Sequence, residues 1–254
     1  MNKVVFIGAG PGDPELITLK GKNWLEKADI VIYAGSLLNP KILKYCKKSA
    51  VLYDSAKMSL PEVIKVMITG VKAGKQVIRL HDGDPSFYGA IQEQMDLLDK
   101  EKIEYFRVPG VSCLQGGAGA LNRELTLPDI SQTIIITRPE GRTPVPLSEG
   151  IVKLAKHQAT MVIFLGTPQI AKVMLDLQRG GYPIDTPVSV VYKATWPEQK
   201  IVKGTIGDIV EKVKSAGITE TALIFVGRVF NPDGYSYSKL YDPTFSTGFR
   251  KGVE

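Results

Sequence analysis

Gly8, Ala9, Gly10, Pro11, Gly12, Asp13 and Pro14 follow directly on an apolar run at residues 4–7. A Val/Ile-rich run emptying into glycines reads as a buried parallel strand feeding a loop, where small residues let backbone amides and carbonyls approach a ligand. The dinucleotide fingerprint requires G-x-G-x-x-G opening a helix, and here the third glycine comes one residue early, beside Pro11 and Pro14. A ribose-binding acid belongs at the end of the second strand, but the run at 29–35 carries its only acid, Asp29, at the start. No Gly-Lys-Ser/Thr follows, which excludes a Walker loop.

Four more strand-like runs end in small-residue turns, at 80–85, 108–113, 165–168 and 192–197. In open α/β sheets ligands bind beyond the carboxyl ends of strands, so the five turns are expected to gather in one cleft. Any one of them also reads as ordinary Gly/Pro punctuation, and it is the set that points to a site.

The elements that must carry these turns alternate. Strand patterns at 4–7, 29–33, 50–53, 76–80 and 105–108 are separated by helical spacing at 60–73 and 90–100, which describes an α/β unit with a mainly parallel sheet. The pattern restarts after residue 129, with strands at 134–137, 161–165, 188–192 and 222–226, a short one at 201–204, and helices at 147–156, 170–179 and 206–215. Two consecutive α/β domains, 1–127 and 128–232, fit better than one sheet of nine or more strands. From Asn231 the chain turns polar and rich in Gly, Tyr, Ser and Pro, so 233–254 reads as a loose tail.

The composition, 44% hydrophobic and 23% charged, suits a soluble enzyme, and no apolar stretch reaches the ~18–20 residues that span a bilayer. The first strand has neither the basic flank nor the length of a signal peptide, so a cytoplasmic location is expected. Two cysteines and two histidines at unrelated spacings argue against a metal or disulfide framework. The net charge of +6 is spread out, which favours an anionic small molecule over nucleic acid.

The run at 8–14 followed by Leu16-Ile17-Thr18, the turns Gly83-Asp84-Pro85 and Val108-Pro109-Gly110-Val111-Ser112, and Tyr192-Lys193-Ala194-Thr195 resemble the tetrapyrrole methylases. The resemblance covers roughly residues 3–230. It implies an S-adenosylmethionine cofactor held in a cleft between two α/β domains, and a homodimer, to which the apolar helices of the second domain also point. A narrower resemblance, to the branch methylating carbon 11 of precorrin-4 or its cobalt complex, rests on residues 136–146, Leu127-Pro128-Asp129 and Lys193-Ala194-Thr195-Trp196-Pro197. Pro139 stands there where alanine is expected, and Cys113 replaces the usual hydroxyl residue.

Carried over by position, the resemblance implies cofactor contacts at Pro11, Asp82, Gly83, Asp84, Ser112, Cys113, Leu165, Tyr192 and Ala194. Small residues would offer backbone groups, and Asp82 or Asp84 would pair with the ammonium or a ribose hydroxyl. Locally, Asp84 reads equally well as a turn former before Pro85, and Leu165 and Tyr192 as strand-end core residues. Arg138, Glu140 and Arg142 are the implied substrate residues, two guanidiniums forking onto acetate and propionate carboxylates; by local sequence alone they form an Arg–Glu surface pair. Asp13 and Ser36 join them as a loop acid and hydroxyl, or serve as a turn former and a helix cap before Pro40. His81 and His157 read as structural and surface residues, and Cys113 as a small packed one. No residue is assigned as acid or base, because an electron-rich ring carbon attacks a sulfonium methyl directly. Methylation at another ring position, a non-catalytic tetrapyrrole carrier and, third, a Rossmann-type oxidoreductase are the alternatives.

Overall fold

The computed structural model describes residues 3–253 and divides into two compact units. The first holds residues up to Gly117 together with Lys193–Gln199; the second holds Ala118–Tyr192 and the chain from Lys200 onward. The sequence pattern places the change ten residues later, at 127/128, where the second set of strands begins. It gives no hint that 193–199 belongs with the first unit, because that assignment depends on hydrogen bonds to residues 11–13.

In the first unit β1 (Val4–Gly8), β2 (Ile30–Tyr33), β3 (Val51–Asp54), β4 (Val77–His81) and β5 (Tyr105–Val108) form a sheet in the order β3-β2-β4-β1-β5, parallel throughout. Val4, Val5, Phe6 and Ile7 are all fully buried, which is why β1 reads as an unbroken apolar run. Val5, Ile7, Val31, Ile78 and Leu80 pack with Leu25 of α1 (Leu19–Leu25) and with Ile42. Val4, Phe6, Ile32 and Val77 pack against Val63 and Met67 of α2 (Leu60–Lys72) and Met95 and Leu98 of α3 (Gln92–Lys100). The Glu62 carboxylate accepts from the Ser59 amide and hydroxyl and so fixes the first turn of α2. The chain leaves this unit within α4 (Cys113–Leu121).

The second unit's sheet, β6 (Ile134–Thr137), β7 (Thr160–Ile163), β8 (Pro187–Tyr192), β9 (Lys200–Thr205) and β10 (Ala222–Val226), runs β6-β7-β10-β8-β9. Only β6 and β7 pair in parallel, so the sheet is mixed, as the sequence pattern indicates. Its core joins Met161, Ile163, Val188, Val190 and Ile224 to α5 (Ile151–Leu154), α6 (Ile170–Arg179) and α7 (Ile209–Ser215). The helix expected at 147–156 is instead three short turns, with Gly150 preceding α5 and Gln158 left-handed (φ 48) at the end. The tail folds back on itself: Arg250 Nη2 donates to the carbonyls of Leu240, Asp242 and Phe245. Among the described residues no helix is long and apolar enough to cross a membrane.

Candidate functional site

Three strand ends of the first unit meet at glycines. A Cβ at Gly8, the last residue of β1, would lie 2.5 Å from the Gly83 carbonyl oxygen and 2.7 Å from Gly110 Cα; one at Gly110 would lie 2.2 Å from that same oxygen. Only glycine at positions 8 and 110 lets the loops after β1 and β5 approach the Gly83 carbonyl this closely. Past the junction, Ala9 N donates to His81 O at 2.7 Å, and Gly10 and Gly83 exchange backbone hydrogen bonds at 3.3 and 2.9 Å. The next residues are held by side chains: Asn39 Nδ2 donates to Gly12 O (2.8 Å), Trp196 Nε1 donates to Pro11 O (3.1 Å), and Thr195 Oγ1 accepts from Asp13 N (3.0 Å).

The two acids of the β4 turn are used differently. Asp84 accepts from Ser86 N and Gly110 N, both at 2.8 Å, which ties the β4 loop to the β5 loop. Burial raises its pKa, but the Ser86 and Gly110 donors and Arg107 outweigh this and hold the carboxyl below its usual range. For Asp82 burial dominates and pushes the carboxyl up, against its own amide and Arg79. Asp82 is thus the acid of the turn governed by burial, where Asp84 is governed by donors from the neighbouring loop.

Beneath the turn, Arg79 is buried, donating from Nε to Gln94 Oε1 and from Nη1 to the Ile32 and Leu80 carbonyls. Burial lowers the pKa of His81 to about 3, with Arg79 adding to the effect, so the imidazole is neutral at physiological pH and is no proton carrier there. Ser112 is buried and its hydroxyl accepts from Leu114 N at the start of α4. Burial, then the Asp82 charge, raises the Cys113 thiol to about 11, which removes it as a nucleophile.

The first unit therefore brings Pro11, Asp13, Asp82, Gly83, Asp84, Ser112 and Cys113 onto adjoining strand-end loops, with Ala194 in the segment that pins residues 11–13. Ser36 lies exposed in the turn after β2, and it is Asn39 that caps the short helix from Pro40, through Oδ1 to Lys41 N.

Leu165, Tyr192, Arg138, Glu140 and Arg142 belong to the second unit. Leu165 is not a core residue: it is 58% exposed and left-handed (φ 55), a conformation that a large side chain holds only under constraint. Arg138 turns onto its own loop, donating to the carbonyls of Pro139, Thr143 and Pro144. Glu140 gives only its carbonyl, to Gln169 Nε2, and no ion pair joins it to either arginine. Arg142 is exposed and has no hydrogen bond or ion pair among the described residues, which leaves its guanidinium available to an anion.

Asn39, Arg79, Thr195 and Trp196 are contributors to which local sequence assigned no role. Thr195 and Trp196 stand inside a motif singled out for Ala194; Asn39 before Pro40 carries the local signal of a helix cap but none of its reach to Gly12, and Arg79 carries no local signal. Among the described residues no group of three His, Cys, Asp or Glu is arranged to hold a metal ion.

Residues 3–210 match the family Tetrapyrrole (Corrin/Porphyrin) Methylases. The chain is 59% identical, over 98% of its own length and 96% of the relative's, to a cobalt-precorrin-4 C(11)-methyltransferase of Methanocaldococcus jannaschii. It is 41% identical, over 98% of this chain and 99% of the relative, to a precorrin-4 C(11)-methyltransferase of Pseudomonas aeruginosa. The X-ray structure of a cobalamin biosynthetic enzyme, a cobalt precorrin-4 methyltransferase, superposes with a TM-score of 0.88 at 46% identity, covering 91% of this chain and 96% of that one.

Proposed function

Because the chain belongs to the tetrapyrrole (corrin/porphyrin) methylases, we propose that it transfers a methyl group from S-adenosylmethionine to carbon 11 of precorrin-4, as a step of cobalamin synthesis. The observation that carries this reading is the 59% identity, along nearly the whole of both chains, to a cobalt-precorrin-4 C(11)-methyltransferase. The lower identity, 41%, to a relative named for the cobalt-free substrate favours the cobalt complex.

The residues of the first unit fit such a cofactor. The side-chain-free junction at Gly8 and Gly110 lets strand-end backbone come close to a ligand, and Asp82 offers a carboxylate to a cation or hydroxyl. The residues assigned to the cofactor are Pro11, Asp82, Gly83, Asp84, Ser112, Cys113 and Ala194, with Leu165 and Tyr192 assigned by resemblance. Asp13, Ser36, Glu140, Arg138 and Arg142 serve the substrate. Arg142 meets a carboxylate directly, while Arg138 shapes the loop that presents it.

When bound, S-adenosylmethionine supplies a methyl group on a positively charged sulfur. The protein aligns donor and acceptor and keeps water away. His81 and Cys113, held neutral by burial, take no part in proton transfer.

Incubation with methyl-labelled S-adenosylmethionine and cobalt-precorrin-4, followed by NMR of the product, tests the assignment. Label on carbon 11 is the expected result. Label on another ring carbon moves the protein to another position within the family, and tight tetrapyrrole binding without transfer makes it a carrier. We propose further that the enzyme acts as a cytoplasmic homodimer.

A further inference from the structure

The turn at 11–13 is fixed by groups that arrive from far along the chain. Trp196 and Thr195 lie 185 and 182 residues beyond their partners. The indole occupies the space where any side chain at position 12 would project: a Cβ there would lie 1.9 Å from Trp196 Cδ1 and 2.2 Å from Nε1. α4 closes on the same turn, since a Cβ at Gly116 would come within 2.8 Å of Pro11 Cβ and 3.4 Å of Thr195 Cγ2. The segment doing this is itself constrained. Thr195 has φ 70, a conformation a β-branched residue keeps only when its surroundings hold it. Gln199 Oε1 supplies part of that hold by accepting from Thr195 N at 2.7 Å. Strain maintained by a dedicated bond, next to the turn that leads into the glycine junction, marks a device for placing that turn.

We infer that Thr195 and Trp196 are positioning residues that latch the Pro11-Gly12-Asp13 turn in its cofactor-receiving conformation, with Gly12 a glycine so that the indole can lie over it. Neither residue needs to touch the cofactor. Trp196 fixes the Pro11 carbonyl, Thr195 fixes the Asp13 amide, and the bridge to Gly83 carries that order into the β4 turn. The inference rests on the cofactor reading given above, and two independent measurements separate them.

The first is hydrogen exchange at the Asp13 amide without ligand. Thr195→Ala and Trp196→Ala should accelerate it at least tenfold, while Thr195→Ser, which keeps the hydroxyl, exchanges near the wild-type rate. The second is calorimetry with S-adenosylhomocysteine. Trp196→Phe keeps the ring but loses the N–H, and should raise the dissociation constant about fivefold, the factor carried by one ordinary hydrogen bond. Gly12→Ala should weaken binding more, and adding Trp196→Ala to it should restore part of the loss by removing the clash. Trp24→Phe leaves Trp196 as the sole tryptophan, whose emission should shift when S-adenosylhomocysteine binds. Unchanged Asp13 exchange in the alanine variants overturns the latch. Faster exchange with unaltered S-adenosylhomocysteine affinity overturns its role toward the cofactor. A wild-type protein that does not bind S-adenosylhomocysteine overturns the cofactor reading, and the exchange rates then still decide whether the latch exists.

Discussion

The loops of the first unit and the loop after β6 in the second are built on opposite plans. Around Gly8, Gly83 and Gly110 the chain contributes backbone, packed so closely that no Cβ fits at two of the three positions, with the amides of Ala9, Gly10, Gly83 and Gly110 all hydrogen-bonded. Around Arg138 and Arg142 it contributes long charged side chains on an exposed loop, of which one is spent on local carbonyls and the other has no partner among the described residues. The first plan suits a ligand that is the same in every turnover and must be placed to a fraction of an ångström. The second suits a large, carboxylate-rich ligand, where charge matters more than exact placement.

The comparison breaks most easily at its rigid end. Gly8→Ala and Gly110→Ala should abolish measurable S-adenosylhomocysteine binding and lower stability by about 1–3 kcal/mol through overpacking. Gly83→Ala should be milder, because its nearest neighbour would be Cys113 N at 3.4 Å and the main penalty is φ 54, about 1–2 kcal/mol. Thermal unfolding with calorimetry checks the ranking, and a Gly8 variant that behaves like Gly83→Ala removes the case for a close-packed junction.

Asp82 sharpens the contrast between rigidity and function. Its folded pKa is raised, chiefly by burial, so the folded protein binds the proton more tightly than the unfolded chain and stability falls as pH rises through that window. Asp82→Asn should therefore unfold at a slightly higher temperature at pH 7 while binding S-adenosylhomocysteine at least tenfold more weakly. Wild-type affinity should decline as pH drops through the raised pKa, and the variant should lack this dependence. Equal affinity of the two proteins would exclude Asp82 as the cofactor's acid.

On the flexible side, Arg142→Ala should raise the substrate's dissociation constant several-fold and leave S-adenosylhomocysteine binding unchanged. Arg138→Ala should also loosen residues 139–144, detectable as faster proteolysis of that loop. If Arg138→Ala weakens substrate without loosening the loop, the two roles are reversed. The smallest effect is expected from the tail: the intact 27.8 kDa chain should sediment as a pair, and deleting residues 235–254 should leave a pair of the shortened chains and turnover nearly unchanged. A single-chain mass in the intact protein removes the dimer.

How much of this was legible depended on the range of the forces involved. Strands such as β1 and β8 follow from local apolar runs, and the five turns stand out because Gly and Pro act on their own backbone. Leu165 deceived local reasoning, since a leucine at a strand end signals core until the left-handed backbone turns it outward. Ser36 was a plausible cap, but Asn39, adjacent to Pro40, satisfies the helix start and also reaches Gly12. Arg79 shows the same limit: a charge in a buried strand becomes intelligible only with the Gln94 side chain and the Ile32 carbonyl in place. The site's backbone was written locally, and its fastenings were not.

The segment Lys193–Gln199 also sets an order of events in the cell. Residues 11–13 leave the ribosome early, but the hydroxyl and indole that secure them follow more than 180 residues later. At ordinary elongation rates that gap is roughly ten to forty seconds. Through that interval the nascent β1 turn exists without its fasteners, so the first unit reaches its final form only when much of the second has already been synthesised.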